Sequence, residues 1–448
     1  MKYFLLPLGC QMNRSDTERV ITVLNNMGCE PTDDENTAEL IGVIACSVRQ
    51  KGIDKVYSRI LKWNTMKRNR NLITFISGCM LPADRVRFIR LFDIVFTMNE
   101  LPELPDMIRQ YGVMTASSSQ IPTEEEIVRQ INPSANMDRF WAIKPQHISK
   151  YEAFIPIQNG CNKFCTYCAV PYTRGREVSR KSDEILAELR QAVEKGYKSI
   201  TLLGQNVNSY GLDKKGDEMN FAQLLRKIGQ YGDESGKEFW VYFTSPHPRD
   251  MNDEVIEVIS QYKCLAKQIH IPIQSGDDNM LQRMNRKHTL EDYRHIINSI
   301  RRMLPTATIF TDIIVGFTGE TEEEFENTRK AMIEFKYNMA YIAQYSVRPG
   351  AVASTWADDV PKEEKRRRYH VLSQELEKHS YLYNKSLIGT TQKVLVTGDD
   401  RKEGYLTGHT EGKIVIRFKS SDHSLIGQIV NVEVTSARPL SIEGNLTE

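Results

Sequence analysis

The chain has 448 residues, 40% hydrophobic and 26% charged, enough for two or three globular cores and unlike a low-complexity or disordered chain. A formal net charge of +1 excludes nucleic-acid binding through overall charge, so any such partner must be met by local patches. No apolar run reaches membrane-spanning length, and the run Tyr3–Leu8 ends at Gly9-Cys10 without a cleavage site, so a cytoplasmic protein with no membrane partner is expected.

From residue 1 to about 112, apolar runs at Tyr3–Leu8, Glu39–Ala45, Leu72–Ser77 and Phe92–Thr97 predict strands. Helical patterns lie between them near Asp16–Met27 and Gly52–Trp63, which together read as an α/β domain with a parallel sheet. Eight cysteines in a reducing compartment point to ligands or catalysis rather than disulfides. Cys10, Cys46 and Cys79 each follow one of the first three strands, and strand C-termini of a parallel sheet share one edge, where open α/β folds build their sites. Scattered buried cysteines are the plain alternative, but three equivalent strand ends favour a three-thiol site. Cys29 follows a helix and fails the same test; with Cys264 it is expected to be a buried bystander.

From Met114 to about Lys150 the pattern lapses into Ser117-Ser118-Ser119, Thr123-Glu124-Glu125-Glu126 and scattered prolines, a linker with one helix. Six strand-and-helix units then run from Phe154 to Val347, with strands at Phe154–Gln158, Ser199–Leu203, Phe239–Thr244, Gln268–Ile273, Thr308–Val315 and Ala340–Ser346. They predict a partial TIM-like (β/α)6 barrel with its chemistry at the C-terminal strand ends. After the first of these strands comes Cys161-Asn162-Lys163-Phe164-Cys165-Thr166-Tyr167-Cys168. A structural zinc site would close its shell with four ligands, and an electron-carrying iron–sulfur cluster is normally held by four cysteines. Three thiols leave one position open for a substrate; zinc and a redox CxxC remain the bland readings. The spacing, with Tyr167 before the third cysteine, resembles that of the radical S-adenosylmethionine (SAM) enzymes, in which a [4Fe–4S] cluster binds SAM through its open iron.

SAM also needs a polar cradle at the barrel mouth. Gln205 and Asn206, Ser245, Gln274, and Val315 with the Gly316-Phe317-Thr318-Gly319-Glu320 run after it all stand at strand ends, and each alone signals only a turn. Glu177, Asp312 and Glu320 are polar candidates near the mouth, with structural roles favoured. Arg174, Arg176, Arg180 and Lys181, and Arg283, Arg286, Lys287 and His288, are two groups placed to meet RNA phosphates. A charged helix from Pro361 to about Asn384 carries Lys365 to Arg368, read as a solvated face paired with Glu363 and Glu364. Beyond it a period of two at Val394 and Val396, Ile414 and Ile416, and Val430, Val432 and Val434 predicts a small antiparallel β-barrel with no excess of positive charge.

Several motifs together resemble the MiaB-type tRNA methylthiotransferases: Leu8-Gly9-Cys10-Gln11-Met12-Asn13, the CxxxCxxC run, Pro171-Tyr172-Thr173-Arg174-Gly175-Arg176-Glu177, Leu203-Gly204-Gln205-Asn206-Val207 and His270-Ile271-Pro272-Ile273-Gln274-Ser275-Gly276. The resemblance implies an N-terminal methylthiotransferase domain at 1–113, a linker at 114–146, a radical SAM domain at 147–378 and a TRAM domain at 379–443. It implies two [4Fe–4S] clusters, one on Cys161, Cys165 and Cys168 that cleaves SAM, and an auxiliary one on Cys10, Cys46 and Cys79 that delivers sulfur. The implied reaction replaces C2–H of N6-isopentenyladenosine, next to the anticodon in a tRNA anticodon stem-loop, by C2–S–CH3 with two SAM molecules. A low-potential donor such as flavodoxin or ferredoxin and a monomeric state are expected. Sister enzymes acting on threonylcarbamoyladenosine or a ribosomal-protein aspartate resemble Cys-Pro-Lys-Asn or Cys-Lys-Val-Asn at the first auxiliary cysteine, so Gln11-Met12-Asn13 argues for the isopentenyladenosine branch. An RNA-binding iron–sulfur sensor without turnover is the rival from another class. Two departures stand out: Phe317-Thr318-Gly319-Glu320 for the usual Phe-Pro-Gly-Glu, which loses a fixed φ but no ligand, and Arg348-Pro349-Gly350-Ala351 for Arg-Pro-Gly-Thr.

Overall fold

Strand Leu40–Cys46 is buried along its whole length, as a central strand covered on both faces must be. It sits in a five-stranded parallel sheet in the order Glu30–Pro31, Lys2–Pro7, Leu40–Cys46, Ile73–Cys79 and Ile94–Val95. The computed structural model describes residues 1–47, 50–114 and 137–447. Ser117–Ser119 and the Thr123 to Glu126 start of the expected linker lie outside the described residues. Where description resumes, the short helix Met137–Trp141 packs Met137, Phe140 and Trp141 into the core of the N-terminal sheet.

Six parallel strands follow in chain order. Glu152–Pro156, Ser199–Leu203 and Trp240–Phe243 form one sheet, and Gln268–His270, Thr308–Val315 and Met339–Gln344 a second. A parallel bridge between Val241 and Leu265 joins the two into a partial barrel. Its outer helices begin where the sequence supplies reciprocal caps, as at Asn220 with Gln223, Thr289 with Asp292 and Thr321 with Glu324. Their apolar faces and the strands share one core.

Helix Lys362–Ser386 crosses to a closed five-stranded barrel built from Thr391–Asp399, Tyr405–Thr410, Val415–Lys419, Ser441–Leu446 and Ile429–Arg438. One of its pairings, Val415–Lys419 with Ser441–Leu446, is parallel, because the last strand crosses over to close the barrel. This small barrel caps the strand-start end of the large one. Tyr151 Oη donates to the Thr397 carbonyl at 2.7 Å, Lys267 N to Glu411 Oε1 at 2.9 Å and Thr308 Oγ1 to the Gly412 carbonyl at 2.7 Å. Leu395 joins Trp240, Tyr242 and Ala266 in an apolar seam beneath these bonds. Among the described residues no helix is long and apolar enough to cross a membrane.

Only half of the basic run on the long helix is a solvated face: Arg366 and Arg367 are exposed, Lys365 and Arg368 are not. Lys365 and Arg368 are each only 4% exposed, because a spacing of three places them on one side of the helix, against the barrel. Lys365 Nζ donates to the Tyr345 carbonyl, and Arg368 Nη1 to Glu320 Oε2 at 2.7 Å. Glu364, one of the two expected partners, pairs with both Arg367 and Arg368, and Arg367 also meets Glu322. Breaking a buried pair leaves an uncompensated charge. Arg368→Met should therefore destabilise the barrel by about 3–5 kcal/mol in urea unfolding followed by intrinsic fluorescence. Adding Glu320→Leu should restore most of the loss, and equal stability of the single variant and the parent would refute this reading.

Candidate functional site

Cys46 and Cys79 end neighbouring strands and are directly paired in register, while Cys10 occupies the N-cap of helix Gln11–Asn26 just past the first strand. Asn13 gathers the three. Its amide donates to the Leu8 carbonyl at 2.8 Å and the Ala45 carbonyl at 2.6 Å, tying two strand ends together. Its Oδ1 stands 3.9 Å from Cys10 Sγ and 3.6 Å from Cys79 Sγ. The three strand-end thiols thus share one edge. Gln11-Met12-Asn13 is less open than a substrate-reading segment would be. Asn13 is 1% exposed, and Met12 is buried beside Phe154 and Leu203 of the large barrel, leaving Gln11 exposed.

The second thiol group lies on the loop after the first barrel strand. An antiparallel pair, Gln158–Asn159 with Val178–Ser179, pins the base of that loop, and Cys161 N donates to the Gly175 carbonyl at 3.1 Å. Gly160 is required at this closure: its φ is +78°, and a Cβ there would stand 2.0 Å from the Arg176 carbonyl oxygen. Cys161, Tyr167 and Cys168 with Cys165 line a cavity of about 180 Å3 at the barrel mouth. Gln205, Ser245 and Gln274 line it from beyond three other strands, and Asp312 from within strand Thr308–Val315. Ser245 and Gln274 hold left-handed backbone, φ +56° and +71°, as does Phe164 at +52°. Strain of this kind collects where a ligand must be approached closely. Asp312 Oδ2 is 2.8 Å from His270 Nε2.

Two expected cradle residues do not face the cavity. Asn206 is buried, with Nδ2 bonded to Asp250 and Oδ1 accepting from His247 N, so it braces the wall from behind. The Val315 side chain is fully buried in the barrel core, since alternation along Thr308–Val315 turns it inward. Glu320 is held by Arg368, and Glu177 is buried with Oε1 unpaired. Ala351, at the second departure, is buried with its N–H bonded to the Arg348 carbonyl.

Much of the expected phosphate-binding set points inward instead. Arg286 is buried, donating to the Pro272 carbonyl at 2.9 Å, with Nη1 3.6 Å from Cys165 Sγ and 3.5 Å from Tyr167 Oη. Arg180 is buried against Glu184 and Glu188, and His288 is buried under Arg286. Arg174 reaches across to the N-terminal domain: its Nε donates to Cys79 Sγ at 2.8 Å and its Nη2 to Asp16 Oδ2 at 2.6 Å. Arg176, Lys181 and Lys287 are exposed, and Arg283 pairs with Glu324.

Sequence reasoning passed over Lys163 and His247, which also line the cavity. Lys163 pairs with Asp250 across the mouth. His247 Nδ1 accepts from Arg249 N at 3.2 Å, which leaves the proton on Nε2, an atom buried without a partner. Burial first, then the cation of Arg286, holds this imidazole well below its usual range, so it stays neutral. The signal was the His between two prolines, four residues past strand Trp240–Phe243.

Burial pushes the Cys161 and Cys168 thiols up to about 12, so deprotonation has to be coupled to the binding of a cation. Among the described residues no three His, Cys, Asp or Glu side chains are set to share a single metal ion. Sulfurs that each bind a different iron of one cluster need not converge on a point, and three soft ligands at an open mouth suit iron–sulfur ligation.

A partial barrel with such a loop defines a radical SAM protein. Residues 155–332 match the Radical SAM superfamily, residues 2–97 an uncharacterized protein family, UPF0004, and residues 385–447 the TRAM domain. The chain is 37% identical to a tRNA-2-methylthio-N(6)-dimethylallyladenosine synthase from Carboxydothermus hydrogenoformans, over 99% of each chain. It is 36% identical to one of the same name from Cronobacter sakazakii, over 98% of this chain and 90% of that one. Its fold is similar to that of the radical S-adenosylmethionine methyltransferase TsrM from Kitasatospora setae, with a TM-score of 0.58 at 12% identity over 88% of this chain and 78% of that one. The chain belongs to the tRNA-2-methylthio-N(6)-dimethylallyladenosine synthase family of radical SAM enzymes. SAM and [4Fe–4S] clusters are the cofactors of that family, and the two thiol triads are donor sets that fit clusters.

Gly160→Ala should open the loop closure. In a Cys10→Ala, Cys46→Ala, Cys79→Ala background, iron bound per chain should fall at least several-fold relative to the same background with Gly160, measured colorimetrically after anaerobic reconstitution. Full retention of iron would show that the closure is not needed.

Proposed function

We propose that the protein replaces C2–H of N6-isopentenyladenosine, next to the anticodon of tRNA, with C2–S–CH3, consuming two SAM molecules. The observation that carries the reading is the pairing of two three-thiol sites across one domain seam, in a chain whose relatives of that name match along its whole length. In this reading Cys161, Cys165 and Cys168 hold the cluster that engages SAM, and Cys10, Cys46 and Cys79 hold the auxiliary one. When bound, the first supplies the electron that cleaves SAM to a 5′-deoxyadenosyl radical, and the second supplies the sulfur.

The chain's residues then bind, orient and exclude water. Tyr167, Gln205, Ser245, Gln274 and Asp312 line the space for SAM, and the unpartnered His247 Nε2–H offers it a donor. Asn206 and Val315 support that wall rather than touching the cofactor. Of the acidic candidates, Glu320 is committed to Arg368 and Asp312 to His270, so neither is free to serve as a general acid or base. C2 of a stacked adenine is out of reach, so the nucleotide must be extruded from the unpaired anticodon loop. The isopentenyl group adds apolar surface, and at about 25 cal/mol per Å2 its burial favours the modified base over adenosine by a few kcal/mol. Operation in the cytoplasm as a monomer, reduced by a flavodoxin or ferredoxin, completes the proposal.

Anticodon stem-loops carrying isopentenyladenosine, adenosine or threonylcarbamoyladenosine provide the test, read by mass spectrometry of nucleosides after anaerobic turnover. Only the first should gain a methylthio group efficiently; preference for the third, or for a ribosomal-protein peptide, would move the enzyme to a sister reaction. Replacing Cys161, Cys165 and Cys168 by Ala should abolish 5′-deoxyadenosine formation. Replacing Cys10, Cys46 and Cys79 should spare some of it yet abolish product. A chain that binds clusters and RNA but never cleaves SAM would be the sensor instead.

A further inference from the structure

Arg174 ends the short helix Val170–Arg174 that follows the CxxxCxxC run, so it belongs to the cofactor loop of the barrel. Its side chain does not stay within that loop. It crosses the seam, 5% exposed, and its donors reach four acceptors. Nε donates to Cys79 Sγ at 2.8 Å, Nη2 to Asp16 Oδ2 at 2.6 Å and Asn13 Oδ1 at 3.3 Å, and Nη1 to Asn159 Oδ1 at 3.2 Å. Asn13 is the residue that ties the first and second cysteine-bearing strand ends together. One guanidinium therefore touches the first turn of the N-terminal helix, a thiol of the auxiliary triad and the base of the cofactor loop.

A cation taken out of water loses several kcal/mol of hydration unless its partners compensate. Asp16 compensates in part, and its Oδ1 is itself buried without a partner. A tie between domains could rest on Arg174 and Asp16 alone. Here the fork is turned so that Nε addresses sulfur while Nη2 holds the carboxylate, which sets the cation directly on Cys79 with the anion of Asp16 on a second donor. Charge fixed this close, away from solvent, acts through a low dielectric. Because arginine stays charged at every relevant pH, the field is permanent.

We propose that Arg174 is a positioning residue that couples the two thiol sites: it locks the auxiliary triad to the cofactor loop and biases the auxiliary centre toward its more reduced state. The role rests on the assignment of Cys10, Cys46 and Cys79 as cluster ligands. A positive charge beside a ligand sulfur stabilises added negative charge, and charge and hydrogen bonds to sulfur are among the factors that set iron–sulfur potentials. The same contact fixes the distance between the centre that generates the radical and the centre that receives the substrate carbon.

The test uses the full chain with Cys161, Cys165 and Cys168 replaced by Ala, reconstituted anaerobically, so that only the auxiliary centre reports. Iron per chain and the midpoint potential from an EPR-monitored titration are read for this parent and with Arg174→Gln, Arg174→Lys and Asp16→Asn added. Arg174→Gln should lower the potential, with about a tenfold change in the reduction equilibrium, ~59 mV for one electron. Asp16→Asn should raise it, because the anion that offsets the guanidinium is gone. Arg174→Lys, which keeps the charge but loses the fork, should lie nearer the parent; if Arg174→Gln fails to fold, the rise expected with Asp16→Asn decides alone. Opposite signs at positions 174 and 16 support an electrostatic role. Potentials that stay put, or shift in the same direction in both, overturn it. A parent that binds no iron overturns the auxiliary-site assignment itself and this role with it.

Discussion

Helix Gln11–Asn26 has no solvent face to spare, and the placement of both thiol sites depends on that. Val20, Val23 and Leu24 bury against the N-terminal sheet, while Asn13, Ser15, Asp16, Glu18 and Arg19 are buried on the side that meets the barrel. Ser15 Oγ reaches the Phe154 carbonyl, Arg19 pairs with Glu188, and Glu18 accepts from His147 and from Ile148 N. Each polar group on this face has to find a partner in the other domain, because an unpaired buried charge costs several kcal/mol. The partners exist only in one relative placement of sheet and barrel, so the polar seam fixes geometry that an apolar seam would leave free to slide.

That fixed placement makes chemistry between the domains feasible. The C-terminal ends of two separate parallel sheets are turned toward one seam, each with three sulfurs, and Arg174 spans it. Dry surroundings serve the reaction in a second way. Radical chemistry requires water to be kept out, and the same burial strengthens every electrostatic contact around the sulfurs. Arg286 beside Cys165 and Arg174 beside Cys79 give the two sites matching arrangements, one buried guanidinium to each triad.

How much of this was legible in the sequence follows from the range of the interactions. Cysteine positions were readable because strand periodicity is local and a parallel sheet brings its ends to one edge; Cys46 and Cys79 sit in direct register as that rule requires. The open-shell CxxxCxxC and the six barrel strands were readable for the same reason. Cations were not. Arg174 and Asp16 are far apart in the chain, as are Arg286 and Cys165, and nothing local distinguishes an arginine that will be buried from one that meets phosphate. Lys365 and Arg368 failed differently: their spacing of three was visible, but the carboxylate that neutralises Arg368, Glu320, lies on another element. Burial of the polar residues along Gln11–Asn26 was not readable either, because amphipathic patterning does not report a second domain.

The small C-terminal barrel bears on how a large substrate must lie. It closes the strand-start end of the radical SAM barrel, whereas the thiols sit at the opposite end of the same strands. The longest of these strands, Thr308–Val315, sets a separation of roughly 26 Å between the two ends. No free nucleoside could touch both. An RNA that engages the small barrel and delivers a base to the thiols has to run along the outside of the large barrel, with its unpaired end at the mouth. The docking also means that the small barrel is part of the large one's core boundary: Leu395 covers Trp240 and Tyr242, and its removal would expose that seam as well as any RNA surface. Loss of RNA binding and loss of barrel integrity are therefore linked by construction, and only substitutions on the outer face of the small barrel can separate them.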